Sequence, residues 1–424
     1  MKTIRTENNS QNKVLYFFIF SIVCYSMPIL FSFLFKGSFF SSWKQFIWIV
    51  AIIICYSQTK LFDKKYKEFV NHITISSVLL LIFGLFSRML NLNVERVLFG
   101  IWVYLAGFPF IAFPYLVFRT NKFLIFRNLI IFLSVFVSIG LIIDHLFGIF
   151  SILDISGGNQ FAEAKGEENR ATFLFESPTG LANFLNLLLL FVFVFFINAS
   201  HFFKRVFFFL LILSILLATY YTGSRQVIIA SFFISFIGFF SYINQTKSLF
   251  NKIFSFIGLF IIGIGIVYIY NIMESDSLIA NRVNDTDFKN DVRSKLWVDG
   301  LAQFNPDNSL HWFIGNGLST TMGQKALPNE EVHHHYESAF LATFYELGII
   351  AWFIVLFPVI KFVKILLQKK KSYVKNLFLA YILTFIFIFL VAPGGMHFTS
   401  LMSVFIVGGF VCNYENLLNT LNFK

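Results

Sequence analysis

The sequence predicts an all-α integral membrane protein with about 12 transmembrane helices. Of its 424 residues, 57% are hydrophobic and only 13% are charged, and the mean hydropathy is +0.74. A single soluble core cannot bury that much apolar surface, so a soluble domain is excluded. The apolar residues also fall in separate runs of about 17 to 25 residues, which is the length that a helix needs to cross a hydrocarbon layer.

Polar breaks between the apolar runs give the predicted boundaries of the spans. The predicted spans lie at residues 14-35, 39-57, 71-90, 97-118, 128-148, 177-199, 206-222, 226-243, 253-273, 337-360, 376-392 and 399-414. The first run follows basic residues without a small-residue cleavage site, which indicates an uncleaved anchor. Residues 1-424 thus form a single polytopic domain, with two longer outer loops at 149-176 and 274-336.

The distribution of charge predicts the orientation of the chain. If the N-terminus is cytoplasmic, the inner segments carry 21 of the 33 basic residues but only 4 of the 22 acidic residues. Basic residues concentrate on the cytoplasmic side of membrane proteins. Both termini are therefore predicted to be cytoplasmic. The net charge of +11 then reflects this orientation, and no nucleic-acid partner is needed to explain it.

Arginines on the outer side are the strongest candidates for binding, because a guanidinium group is always charged and can donate two parallel hydrogen bonds to a phosphate. Arg225 lies between two apolar runs with almost no loop, so it either reaches towards the interface or faces a polar cavity. Arg170 and Arg293 lie in the outer loops, where each alone is equally consistent with a solvated charge. Gathered over one vestibule, the three would bind a diphosphate.

A histidine run at 333-335 lies at the end of the longer outer loop. One of its imidazoles could act as a general base, since a histidine near neutral pKa can take a proton from a sugar hydroxyl. The run could equally be the polar start of the next helix, without a role in catalysis. A metal site is disfavoured because no second ligand follows at helical spacing, and the three cysteines show no CxxC pattern. His397, on the same side, could line the same vestibule.

Several short motifs on the outer side occur in a fixed order. They are Arg170, Glu176-Ser177-Pro178, Leu181-Ala182, Thr222-Gly223-Ser224-Arg225, Arg293, Trp297, Ile314-Gly315-Asn316-Gly317 and Glu346-Leu347-Gly348-Ile349-Ile350. In this order and on this side, they resemble the O-antigen polymerase and O-antigen ligase superfamily. The match extends from about residue 165 to residue 352, and each motif is short.

The resemblance implies a membrane-embedded, GT-C-like glycosyltransferase in the bacterial cytoplasmic membrane, with its active face extracytoplasmic. Its substrates would be polyprenyl-diphosphate-linked oligosaccharides, and it would need no metal and no other cofactor. Arg170, Arg225 and Arg293 match the diphosphate-binding positions of the family, and the base would be His335 or Glu337. His334 and His397 are candidates for acceptor binding. Further partners would be membrane lipid, a chain-length regulator and a flippase.

One departure from the family pattern leaves the identity of the base open. Family members often carry His-Asn about eleven residues before the glycine that is Gly348 here, and that register falls on Glu337 and Ser338. His335 lies two residues upstream. Either His335 or Glu337 is therefore predicted to be the catalytic base.

Three other functions compete with a polymerase of repeat units. A ligase that transfers the glycan to a lipid A core or to a protein would have the same fold and differ in its acceptor. A flippase or another transporter would be expected to carry charged residues midway through several spans and an internal repeat, neither of which the sequence has. A purely structural membrane protein is the third alternative.

Overall fold

A computed structural model gives the structure of the chain. It describes residues 2–34, 43–57, 64–89, 94–147, 173–175, 177–246, 252–253, 255–261, 263–264, 312–313, 315, 338–370, 372–392 and 398–422. The regular structure of these residues is entirely helical, without a strand. The predicted all-α class is thus confirmed for the described part of the chain. The two predicted outer loops lie almost wholly outside it.

The order of the helices along the chain is that of the apolar runs in the sequence. Their bounds are α1 Lys2–Ser26, α2 Pro28–Leu34, α3 Trp43–Ser57, α4 Lys64–Met89, α5 Val94–Leu105, a 3-10 helix Phe108–Ile111, α6 Ala112–Arg119, α7 Phe123–Phe147, α8 Pro178–Ile197, α9 Phe202–Tyr221, α10 Arg225–Gln245, α11 Ala339–Leu347, α12 Ile350–Leu367, α13 Tyr373–Val391, α14 Phe398–Cys412 and α15 Tyr414–Asn422. Residues 255–261 are helical as well.

Eight helical segments of the described residues are long and apolar enough to cross a membrane. They are Tyr66–Leu85, Gly100–Arg119, Phe123–Phe147, Pro178–Ile197, Phe202–Tyr221, Arg225–Asn244, Ile350–Leu367 and Tyr373–Val391. The pair α14 and α15 is bent by 78°, and counting it as one span raises the number to nine. The chain is therefore a multi-pass helical membrane protein.

The other predicted spans coincide with shorter or incompletely described helices. Residues 14-35 fall in α1 and α2, which are separated at Met27. The span predicted at 39-57 contains α3, which is apolar but only 15 residues long. Most of 253-273 lies outside the described residues. The count of 12 spans therefore stays a prediction.

The span predicted at 337-360 is two helices in the structure. α11 ends at Leu347 and α12 begins at Ile350, and the apolar helix of spanning length is Ile350–Leu367. Gly348 between them has φ +58°, a left-handed conformation that favours glycine and ends the helix. A single glycine in an apolar run is a weak signal in a sequence, which is why the prediction joined the two helices.

The centre of the bundle is α8, in which every residue from Gly180 to Phe196 is buried. A helix that is apolar all round is expected to be surrounded by other helices, and α8 packs against α7, α9, α10, α13 and α14. Aromatic rings fill the contacts. Phe191, for example, lies 5.0 Å from Phe126 and 5.0 Å from Phe410, measured between ring centroids. Edge-on ring pairs of this kind favour a single packing arrangement.

A second buried span, Gly100–Arg119, is broken near its middle. α5 ends at Leu105, and a 3-10 helix with Pro109 in its first turn connects it to α6. The break allows Gly107 to lie directly against the backbone of Leu401 on α14, where an added Cβ would be 2.5 Å from the Leu401 carbonyl carbon. The broken helix and α14 are therefore in contact backbone to backbone.

The two ends of the bundle differ in their charges. At one end Lys361 pairs with Glu68 and Lys369 pairs with Glu415, at 2.9 Å in the second case. Tyr373 donates a hydrogen bond to Asn198 at the same end. We call this the basic end, because it carries residues that the charge pattern predicts to be cytoplasmic.

Replacing Gly107 by alanine tests the backbone contact between the broken helix and α14. We expect Gly107→Ala to lower stability by about 1–3 kcal/mol, because the added methyl group meets backbone atoms that cannot move aside. The measurement is the midpoint of thermal unfolding in detergent. Gly263→Ala is the matched control, since an added Cβ there meets no atom within 4 Å. Equal midpoints for the two variants would contradict this account of the packing.

Candidate functional site

Five helix ends meet at the end of the bundle opposite the basic end. They are the first turns of α8, α10, α11 and α14 and the last turn of α13. Ser224 donates a hydrogen bond to Thr179 at 3.3 Å and so joins α10 to α8, and Thr399 donates to the Gly180 carbonyl at 3.0 Å and joins α14 to α8. The Ala339 amide donates to the Ala392 carbonyl at 3.1 Å. We call this region the site end.

Small apolar residues hold these helix ends close together. A separate buried cluster at the site end consists of Ala182 on α8, Val227 and Ala230 on α10, Ile388 on α13, and Ala392. Small side chains allow the backbones of membrane helices to approach closely. The first turns of α8 and α10 are therefore fixed relative to each other and to the end of α13.

Two serines cap the N-termini of helices at the site end. Ser177 Oγ accepts a hydrogen bond from the Gly180 amide at 3.0 Å, and Ser338 Oγ accepts one from the Leu341 amide at 3.3 Å. Ser338 also donates to the Leu390 carbonyl at 2.6 Å, which ties α11 to the end of α13. Helix N-termini carry partial positive charge. Several of them at one end favour a negatively charged ligand there.

Arg225 is the first residue of α10 and lies at the site end. The turn before it contains Gly223 with φ +61°, and the Thr222 hydroxyl donates to the Thr219 carbonyl at 2.6 Å. Thr222 and Ser224 are buried, whereas Arg225 is half-buried. The structure thus places Arg225 in the first turn of α10, next to buried polar residues.

The other predicted site residues lie outside the described part of the chain. They are Arg170, Arg293, His334, His335, Glu337 and His397. Two of them directly precede described residues of the site end: Glu337 comes before Ser338, and His397 comes before Phe398. That the three arginines lie together over one vestibule stays a prediction.

Two motifs that are distant in the sequence lie in contact. Gly315 has φ +66°, and an added Cβ would be 2.3 Å from the Glu346 carbonyl oxygen. At Gly348, an added Cβ would be 2.6 Å from the carbonyl carbon of Phe313, and the Ile349 amide donates to the Trp312 carbonyl at 3.0 Å. Glycine is required at both positions by conformation and by space. Trp312, Phe313 and Gly315 of the long loop therefore lie against the end of α11.

The end of α11 contains a buried glutamate for which the sequence predicts no role. Glu346 is fully buried, and the hydroxyl of Tyr104, which is also fully buried, donates to its carboxylate at 2.9 Å. A carboxylate inside a membrane bundle is costly and is retained for function or for structure. Its partner could not be found from the sequence, because Tyr104 lies in an apolar run 242 residues away.

In the part of the chain that the structure describes, no three histidine, cysteine, aspartate or glutamate residues are grouped so that they could hold a metal ion. The histidine run at 333-335 is not among the described residues. The described part of the site end contains helix N-termini, hydroxyl groups and Arg225. Groups of this kind can bind anions.

The fold and the charge distribution define a multi-pass helical membrane protein with a basic end and, opposite to it, an end where helix N-termini meet. Comparisons of the chain with models of protein families, with curated proteins and with solved structures found no match. The resemblance to a family therefore rests on the residues alone.

A double-mutant cycle on Tyr104 and Glu346 tests their buried pairing. We expect Tyr104→Phe and Glu346→Leu each to lower stability, and their combination to lower it by less than the sum. The coupling should be about 0.5–3 kcal/mol, because the two side chains are in contact. The free energy of unfolding in detergent is the measurement.

Tyr56→Phe is the control for that cycle, because the Tyr56 hydroxyl pairs with Thr74 at 2.7 Å on the exposed surface of the bundle. Its effect on stability is expected to be small. Strictly additive effects of the Tyr104 and Glu346 substitutions would contradict a direct interaction.

Proposed function

We propose that the chain polymerises polyprenyl-diphosphate-linked oligosaccharide repeat units into O-antigen or capsular polysaccharide on the extracytoplasmic face. One observation carries the proposal: residues of separate motifs are in contact, and α8, α10 and α11, which carry some of them, all begin at the site end. Thr179, next to the Ser177-Pro178 motif, bonds to Ser224, next to Arg225. Gly315 lies against Glu346 on α11. These contacts support treating the motifs as parts of one site.

In the proposed reaction, the terminal hydroxyl of one lipid-linked unit attacks the anomeric carbon of a second glycan. A glycosidic bond forms, the bond from that carbon to the diphosphate oxygen breaks, and polyprenyl diphosphate leaves. Attack from the side opposite the leaving group inverts the configuration. Arg170, Arg225 and Arg293 stabilise the negative charge that develops on the diphosphate. The hydroxyl proton goes to His335 or Glu337.

The position of α11 supports placing the base at the site end, where Arg225 lies. Ser338 caps α11 and directly follows Glu337, and it is bonded to the Leu390 carbonyl at the site end. The other end of α11 is held by the Tyr104–Glu346 hydrogen bond and by the contact of Gly348 with Phe313. Because α11 is fixed at both ends, it can hold the residues before it at a defined place.

We further propose 12 spans in a GT-C-like arrangement, with both termini in the cytoplasm. α10 ends at the basic end, where Asn376 donates to Ser241, whereas α11 begins at the site end. An additional crossing between them, as predicted at 253-273, agrees with these positions. The basic end then faces the cytoplasm, as the distribution of lysine and arginine favours.

A ligase of the same fold is the nearest alternative, and it differs only in the acceptor. A flippase is the alternative from a different class. Among the described aspartate, glutamate, lysine and arginine side chains, Glu346 is the one that is fully buried. A transport path lined by several charged residues is not supported by this distribution.

Replacing Arg225 tests the diphosphate site. Purified protein in detergent is given a synthetic polyprenyl-diphosphate repeat unit with EDTA, and the products are separated on a gel. We expect a ladder of lengthening glycans from the wild type and a rate about 10²–10³-fold lower for Arg225→Ala, because a donor to the leaving group is lost. Arg293→Ala should have a similar effect.

Arg119→Ala is the matched control, since Arg119 is exposed at the end of α6, close to the basic end. Its ladder should equal that of the wild type. A ladder that is indifferent to Arg225 and Arg293 would contradict the site. Transfer that requires a lipid A core acceptor would favour the ligase.

His335→Ala and Glu337→Gln distinguish the two candidate bases. The variant that lacks the base should lose about 10²–10⁴-fold in rate, because proton removal from the acceptor hydroxyl is no longer assisted. Binding of the donor should be retained, and it can be measured by protection against thermal unfolding. Near wild-type rates for both variants would show that neither residue is the base.

A further inference from the structure

Polar side chains from four helices meet inside the bundle, below the site end. They are Asn183 and Asn186 on α8, Ser231 on α10, Tyr381 and Thr384 on α13, and Ser400 on α14, and none of them is more than 5% exposed. Buried polar groups need hydrogen-bond partners, because lipid and apolar side chains provide none. We call this group the polar cluster.

Most of the polar cluster is satisfied by bonds between helices or by bonds to the backbone of the same helix. Asn183 Nδ2 donates to Ser400 Oγ at 2.7 Å, and Thr384 Oγ1 donates to the Tyr381 carbonyl at 2.7 Å. Ser231 Oγ lies 2.5 Å from Asn186 Oδ1 and 2.9 Å from the Val227 carbonyl. A serine hydroxyl has a single proton, so Ser231 can donate to only one of these two oxygens.

The Asn186 amide keeps one unsatisfied atom in either orientation. With its oxygen towards Ser231, the amide nitrogen Nδ2 has no partner among the residues that the structure describes. With nitrogen and oxygen exchanged, Nδ2 donates to Ser231, which then donates to Val227, and the amide oxygen takes the position without a partner. Asn186 is only 2% exposed, so bulk water does not satisfy this atom. A partner inside the bundle is required.

A small cavity lies at the same place. It is lined by Asn183, Asn186, Tyr381, Thr384, Phe385, Ile388 and Ser400, and its volume is about 10 Å³, counted as the space open to the centre of a water molecule. This volume corresponds to about one water. A sugar ring or a lipid chain does not fit. The lining offers neutral amide and hydroxyl groups and no carboxylate, so it does not resemble a site for a divalent cation.

We propose that this cavity is a binding site for one water molecule, held by the side-chain amide of Asn186. A water both donates and accepts, so it satisfies the amide in either orientation. The oxygens of Thr384 and Ser400 supply further partners, which gives the two to four bonds that a buried water makes. The water thereby links α8 to α13 and α14, beneath the helix ends of the candidate site. The inference is independent of the proposed glycosyl transfer.

The test is a density map of the wild-type protein at a resolution that shows ordered waters elsewhere in the bundle. We expect a peak in the cavity at about 2.7–3.2 Å from the Asn186 amide. A cavity without a peak in such a map would overturn the proposal. So would a peak surrounded by oxygens at about 2.0–2.6 Å, since these distances indicate a bound cation.

Two variants assign the peak to Asn186. Asn186→Leu should lose the peak, whereas Asn198→Leu should keep it. Asn198 is the matched control, because it follows the same helix and its amide is already paired, with Val194 at 2.6 Å and Tyr373 at 2.8 Å. A peak that persists in Asn186→Leu would overturn the assignment. If that variant does not fold, the wild-type map still decides.

Discussion

The interior of a bilayer provides no hydrogen-bond partner, and the rest of this structure depends on that constraint. Backbone polar groups are satisfied within helices, and buried polar side chains must find partners inside the protein, many of them on other helices. Tyr104 bonds to Glu346, Asn183 bonds to Ser400, and Ser231 pairs with Asn186. Because each pair joins two helices, the polar groups also fix which helices are neighbours.

Glycine is the second feature that determines how the helices pack, because it allows two backbones to come into contact where a helix is broken. Gly107 lies against Leu401 in the middle of the bundle, and Gly315 lies against Glu346 near the end of α11. Breaks in α5–α6 and between α11 and α12 produce helix ends inside the protein. Helix ends have unpaired backbone groups and partial charges. The candidate site likewise consists of helix ends, namely those of α8, α10, α11, α13 and α14.

The sequence could predict the features that depend on neighbouring residues, but not the contacts between residues that are distant along the chain. Long apolar runs predicted the helices, and the charge pattern agrees with the ion pairs of Lys361 and Lys369 at the basic end. Arg225 stood out because it is charged between two apolar runs. The division at Gly348 was missed because one glycine is a weak signal. The partners of Glu346 and Asn186 could not be predicted, because each comes from a distant part of the chain.

The central claim is that the meeting helix ends form a site on the outer side of the membrane. The direct measurement uses a variant without Cys24, Cys55 and Cys412 that carries the pair Thr179→Cys and Ser224→Cys, whose hydroxyls are 3.3 Å apart. A second pair, Ser241→Cys and Asn376→Cys, whose polar atoms are 3.1 Å apart in the wild type, reports on the basic end. We predict that the first disulfide forms in intact cells and is cleaved by an added membrane-impermeant reductant. The second pair should stay reduced, because the cytoplasm keeps thiols reduced, and should form a disulfide only after the cells are opened under oxidising conditions. Failure of the first pair to form in intact cells, or a disulfide in the second pair instead, would contradict the account.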